Sequence, residues 1–209
     1  MGLRLASRSA FLITLAFVWL ICLLWHGSNL DWVLFSQVYD HGGKLSDVAD
    51  LISGLGSPQF LYVVLAVGAV VLLWLRRTRE ALILITLVLS CRVLRLVQEM
   101  TFVLPRPNVS VRHVEAFSPY AFPSGHAANS MATYLSLALI IATRSRWRDF
   151  AVALALAMTF AVGMSRISVG AHWPSDVVAG WSFGSFWTVG ILWLTTELTQ
   201  NEDQVVKVT

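Results

Sequence analysis

Six stretches of this chain are too apolar to belong to a protein that covers itself with a polar shell. They run from Ala10 to Trp25, Phe60 to Leu75, Ala81 to about Leu104, Ser124 to Thr143, Phe150 to about Met164, and about Pro174 to Leu194. Each approaches the roughly 20 residues that a helix needs to cross the hydrocarbon of a bilayer. There the backbone must satisfy its own hydrogen bonds, which leaves helices or closed barrels. Charged residues make up only 13% of the 209, against 56% hydrophobic ones; soluble domains average about a quarter charged. The expected fold is all-α: one integral-membrane domain over residues 1–209, a six-helix bundle.

The charges orient the bundle. Arg4 and Arg8, then Arg76, Arg77 and Arg79, then Arg144, Arg146 and Arg148 form short clusters at the ends of apolar runs. Cytoplasmic loops collect such clusters, so both termini and the second–third and fourth–fifth connections are expected in the cytoplasm. The other three connections face outward. A net charge of +3 does not indicate a nucleic-acid partner, because binders of that kind gather their charge on one soluble face. Trp25, Trp32, Trp74, Trp147, Trp173 and Trp193 fall near span ends, as an aromatic belt requires. The first run is long for a signal peptide, and Trp25-His26-Gly27-Ser28 offers no cleavage site, so it reads as a retained span.

Between the first two spans, Leu45, Val48, Leu51 and Ile52 are spaced as in a short amphipathic helix on the outer membrane surface, after a turn at His41-Gly42-Gly43. Gly180 and Gly184 read as close packing within the bundle. Cys22 and Cys91, inside apolar runs, read as small buried hydrophobes.

Two outward connections hold nearly all the unusual polar residues. After the third span comes Pro105-Arg106-Pro107, and the same loop ends in Pro123-Ser124-Gly125-His126. After the fifth comes Ser165-Arg166, then His172 and Asp176. Ser124-Gly125-His126 opens a helix, whose free N–H groups and dipole favour an anion, and glycine lets a ligand approach the backbone. Arg106 and Arg166 carry guanidinium forks that match phosphate oxygens. Asp176, one turn beyond His172, is placed to hydrogen-bond one ring nitrogen and leave the other free to attack. His126 is placed to protonate a leaving oxygen. Singly, a span-end arginine is usually an anchor and a loop histidine usually solvated. Those readings do not explain why all the pieces fall on one side of the membrane, in order.

Arg106-Pro107, Pro123-Ser124-Gly125-His126 and Ser165-Arg166-(five)-His172-(three)-Asp176 resemble the three-part signature of the type 2 phosphatidic acid phosphatase superfamily. The match spans about residues 99 to 176. The resemblance implies a metal-independent, cofactor-free hydrolase of lipid phosphates with a phosphohistidine intermediate. His172 would be the nucleophile, Asp176 its orienting partner and His126 the general acid. Arg106, Ser124, Gly125 and Arg166 would hold the phosphate, with Ser165 and Pro107 as accessories. A small chain of this kind is most similar to enzymes acting on undecaprenyl diphosphate or phosphatidylglycerol phosphate. Removal of a lipid A phosphate and phosphotransfer to a second lipid use the same residues. The resemblance implies a bacterial inner membrane, with the site on its periplasmic face.

One position departs from the pattern. The family's first part begins with a lysine seven residues before the Arg106 position, and Glu99 stands there. Ionised nearby, it would repel a phosphate dianion, which is the one feature favouring a non-catalytic family member. Arg92, Arg95 and Glu99 share one helical face. The expectation is that Glu99 pairs with Arg95 or Arg166 and an arginine supplies the missing charge, or else that the pair only holds the bundle.

Overall fold

A computed structural model describes residues 2–40, 45–109, 118–142 and 146–208, with side chains for 6–40, 47–109, 118–142 and 146–197. The His41-Gly42-Gly43 turn and Arg144 lie outside the described residues, and Arg4 outside the described side chains. Eight helices follow one another among the described residues: α1 (Gly2–Trp25), α2 (Asn29–Val38), α3 (Leu45–Gly54), α4 (Pro58–Trp74), α5 (Thr78–Phe102), α6 (Gly125–Ile141), α7 (Arg148–Ser168) and α8 (Pro174–Val208). No strand occurs among the described residues. The all-α expectation holds, with two short helices, α2 and α3, between the first two long ones.

Among the described residues, four stretches are long and apolar enough to cross a membrane: Ala6–Trp25, Asp47–Trp74, Arg148–Ser168 and Pro174–Glu197. The third and fourth runs of the sequence, in α5 and α6, fall outside that standard for a physical reason. α6 is the centre of the bundle and carries buried Ser130, Thr133 and Ser136 alongside Ala127, Ala128 and Ala132. A helix that touches only other helices needs no apolar exterior. α5 turns Cys91, Arg95 and Glu99 inward and shows Leu89, Val93, Val97 and Met100 outward. Similar ridges of Phe11, Ile13, Phe17 and Leu24 on α1 and Val63, Val67 and Val70 on α4 are exposed. An apolar belt on this scale is a lipid-facing surface.

α8 packs on α6 through the two glycines. A Cβ on Gly180 would stand 2.8 Å from the Ser124 carbonyl oxygen, and one on Gly184 would stand 2.6 Å from that of Ala128. The small residues therefore serve contact within the chain. Cys22 and Cys91 are free and buried.

In α3 the faces differ from a simple surface helix. Ala49 and Ser53 are buried, Ala49 clustering with Val169 and Ala171, while Val48 and Leu51 point outward. Trp173 departs from the aromatic belt: it is buried, and its indole N–H donates to the Pro105 carbonyl at 3.2 Å.

Arg8, Arg77 and Arg79 gather at one end. Arg77 donates to the Ile140 carbonyl at 2.8 Å, so the α4–α5 turn meets the end of α6. At the same end Arg79 reaches Thr195 O and Arg8 pairs with Glu197. The end of α5, the start of α6, the end of α7 and the start of α8 meet at the opposite end.

Candidate active site

Local chemistry fixes each element that carries the site. Ser124 caps α6, its hydroxyl accepting the Ala127 N–H at 3.5 Å. Its own N–H donates to the Asp176 carbonyl at 2.9 Å, stitching the first turns of α6 and α8 together. Past the end of α7, the N–H groups of Ala171 and His172 fold back onto the Arg166 carbonyl, and Pro174 opens α8. α2 braces that opening: the buried Asp31 carboxylate accepts the Ser175 N–H at 3.0 Å and its hydroxyl at 2.6 Å. Ser28 caps α2 in turn.

A cavity of about 800 Å³ opens between these ends, lined among others by Arg95, Arg106, His126, Arg166 and His172. The His172 ring has a defined tautomer. Arg106 approaches Nε2 with Nη1 at 3.1 Å, and a guanidinium only donates, so Nε2 carries a lone pair. The ring hydrogen is then on Nδ1, facing Asp176 Oδ2 at 3.3 Å. The same oxygen accepts the Trp173 N–H at 2.9 Å. Burial pushes the His172 pKa down to about 3, with Arg106 and Arg166 adding to the effect and the Asp176 hydrogen bond opposing it.

Arg106 is held by the carbonyls of Ser118 at 2.9 Å and Ala171 at 2.7 Å. Arg166, buried in the last turn of α7, donates through Nη1 to Ser53 Oγ of α3 at 2.6 Å, and its Nε has no partner. His126 makes no hydrogen bond among the described residues and faces the cavity. Arg95 pairs with Glu99 one turn along α5. Its guanidinium lies on the opening of α6: a Cβ on Gly125 would meet Arg95 Nη1 at 2.7 Å. Of the two partners expected for Glu99, Arg95 is the one found. The cavity thus collects the guanidinium groups of Arg92, Arg95, Arg106 and Arg166, with Asp50 and Glu99 as the acids on its wall.

Several expected residues stand back from the cavity. The Ser124 hydroxyl is wholly buried and faces its own helix; the Ser165 hydroxyl donates to Val162 O at 2.8 Å; Pro107 is buried in the loop beside Arg106. Asp176 lies behind His172. Four contributors were not singled out from sequence: His26, Asp31, Ser53 and Ser118. His26 reaches Asp176 Oδ1 at 3.0 Å. Only Asp31 had a local signal, since Ser28 three residues earlier is a helix cap.

The model of the PAP2 superfamily matches residues 6–200. Phosphatidylglycerophosphatase B of Bacillus subtilis (strain 168) is 27% identical over 145 residues, covering 67% of this chain and 70% of that protein. An undecaprenyl-diphosphatase of Sulfolobus acidocaldarius is 36% identical over 132 residues, 60% of each chain. A lipid A 1-phosphatase of Rhizobium johnstonii is 36% identical over 81 residues, so the match spans only 30% of that protein. Among solved structures, a transmembrane PAP2-type phosphatidylglycerolphosphate phosphatase from Bacillus subtilis has the same fold, with a TM-score of 0.82 at 22% identity, covering 89% of this chain and 96% of its own.

Proposed function

The chain belongs to the PAP2 superfamily, and from that premise we propose that it hydrolyses a lipid phosphate or diphosphate through a phosphohistidine on His172. The observation that carries this reading is the His172 ring: Nδ1 backed by Asp176, Nε2 unprotonated, bonded to Arg106 and open to a cavity lined with cations.

In the reaction, Nε2 attacks phosphorus and the bond from phosphorus to the leaving oxygen breaks. His126 gives that oxygen its proton. Water then attacks the phosphohistidine, His126 takes the water proton, and the P–N bond breaks to release inorganic phosphate and restore the imidazole. The other product is a lipid alcohol or, from a diphosphate, a lipid monophosphate. Arg95, Arg106 and Arg166 hold the equatorial oxygens, an electrostatic role that dominates phosphoryl transfer. The scheme draws its positive charge from these arginines and needs no metal or cofactor. Arg95 stands in for the absent lysine, and its pairing with Glu99 removes the reason to read the chain as non-catalytic.

The undecaprenyl diphosphate and phosphatidylglycerol phosphate readings are both supported by polar groups one turn below the catalytic layer. Arg92 lies over the Tyr62 ring at 5.0 Å, and the buried Asn129 Oδ1 has no partner. Both line the cavity, as a headgroup with a second polar unit would require. We place the basic end of the bundle, both termini included, in the cytoplasm and the cavity on the outer face of a bacterial inner membrane, since arginines collect on the inner side. On this reading α5 and α6 also span, giving six crossings in one domain.

Purified protein should release inorganic phosphate from one of a panel of lipid phosphates and diphosphates, and His172→Ala should abolish release. Hydrolysis unchanged in His172→Ala would overturn the mechanism, and transfer of labelled phosphate to an acceptor lipid would identify a phosphotransferase.

A further inference from the structure

His26 follows the last residue of α1 and belongs to none of the signature segments, yet its side chain is 6% exposed and ends on the carboxylate behind the nucleophile. It is wedged edge-on between the rings of Phe122, at 6.1 Å, and Trp173, at 6.3 Å. Its Nδ1 lies 3.0 Å from Asp176 Oδ1 and its Nε2 lies 3.2 Å from the Pro105 carbonyl oxygen.

A carbonyl oxygen only accepts, so Nε2 bears hydrogen. The other nitrogen faces Asp176, whose Oδ2 already accepts the Trp173 amide and the Nδ1–H of His172. A carboxylate receiving two N–H groups stays ionised, so Oδ1 accepts as well. Both nitrogens of His26 therefore donate, which a neutral imidazole does not do.

We infer that His26 is an imidazolium positioning residue that pins Asp176 from the side opposite His172 and thereby keeps the nucleophile neutral and aimed. This rests on the proposed role of His172. With His26 charged, Asp176 is shared between two rings, and its pull on the His172 proton is divided. Without that charge, the full carboxylate would act on His172 alone, favour its protonated and non-nucleophilic form, and leave Oδ1 free to swing away.

The groups facing His26 agree. Asp176 of α8 is in contact, Asp31 of α2 lies nearby, Cys22 is one turn back on α1, and the Pro105 carbonyl closes the loop side; Arg106 and His172 lie beyond Asp176. Burial works against a charge here, but the Asp176 hydrogen bond and the two carboxylates outweigh it and raise the His26 pKa above the ordinary histidine value.

The test has one arm that needs no turnover. ¹⁵N spectra of histidine-labelled protein, with His26→Gln to assign the signal, are expected to show both His26 nitrogens protonated at pH 6.5, where a free histidine is about half neutral. A neutral ring at that pH would overturn the inference. In the kinetic arm, His26→Ala and His26→Gln are expected to lower kcat about 10–100-fold, the usual range for a partner that orients a working group. KM should stay within about threefold, and the acid limb of the kcat profile should move to higher pH. Added imidazole should restore part of the His26→Ala activity. Wild-type kcat with an unmoved acid limb would overturn the positioning role. Loss of activity with an unmoved limb and no rescue would do the same, leaving a structural contact only. A wild-type protein that releases no phosphate would instead sink the functional reading, while the ring's charge is read from its own signal.

Discussion

The guanidinium of Arg95, about two turns before the end of one helix, lies directly against the backbone of Gly125, the first residue of another. No side chain fits between them: a Cβ on Gly125 would stand 2.7 Å from Nη1 and 3.0 Å from Cζ of Arg95. The glycine thus admits the cation beside the helix N-terminus, where the proposed reaction would also bring a phosphate. Gly125→Ala is expected to push the end of Arg95 aside, since a long side chain moves more easily than backbone. The fold should survive and kcat/KM should fall about tenfold. Because the two residues act through one contact, Gly125→Ala and Arg95→Ala should be strongly non-additive. A double-mutant cycle on kcat/KM measures this, and additive losses would show that Arg95 does not serve the phosphate.

The Arg95–Glu99 pair separates activity from stability. Removing one partner of a buried ion pair costs about 3–5 kcal/mol, because the other charge is left uncompensated. Arg95→Ala is therefore expected to lower both the melting temperature and phosphate release. Arg95→Ala combined with Glu99→Gln removes the stranded charge, so stability should largely return while kcat/KM stays low, roughly a hundredfold down if one clamping charge is worth about 2.7 kcal/mol. Recovery of activity together with stability would make the pair a bundle clasp alone. Normal activity in Arg95→Ala would sink the replacement-cation idea outright.

How much of this was legible in the sequence follows from how locally each contact is made. Arg106, His126, Arg166 and His172 were readable because the chemistry asks for fixed residue types near the ends of helices, and the fold does bring them to one cavity. His26 and Ser53 were not, since each meets the site across more than a hundred residues and nothing in the flanking sequence marks the contact. Trp173 shows the converse error. Its place near a span end fits an interfacial belt, but tertiary packing buries the ring against Phe35 and His26. Likewise α6 is rich in serine, threonine and alanine because it faces other helices, which a lipid-crossing criterion cannot anticipate.

The two histidines on Asp176 are expected to shape stability against pH in opposite senses. His172 has a folded pKa of about 3, below its ordinary value of 6.5. Below pH 6.5 the unfolded chain takes up a proton that the folded chain refuses, so stability falls as pH drops from 6.5 toward 3. His26 is raised above 6.5, so its contribution is complete below that pH and is lost as pH rises through the raised value. Melting temperatures in detergent across the pH range should then fall on both sides. His172→Gln should flatten the acid side and His26→Gln the alkaline side. Parallel curves for wild type and both variants would contradict the charge states assigned to the site.

Ser53 offers a way to test the proposed phosphate clamp without touching any signature residue. Its hydroxyl accepts the Arg166 Nη1 hydrogen bond at 2.6 Å, and Arg166 Nε already lacks a partner. A hydrogen bond to a charged group contributes about 1.5–3 kcal/mol, here spent on holding the guanidinium toward the cavity. Ser53→Ala leaves the charge in place and frees its direction. Phosphate release is expected to show KM raised about tenfold with kcat changed less, and competitive inhibition by inorganic phosphate weakened in parallel. Ser53→Thr, which keeps the acceptor, should stay near wild type. If Ser53→Ala instead lowers kcat with KM and phosphate inhibition unchanged, α3 acts on the chemical step and not on binding, and Arg166 is not positioned through this contact.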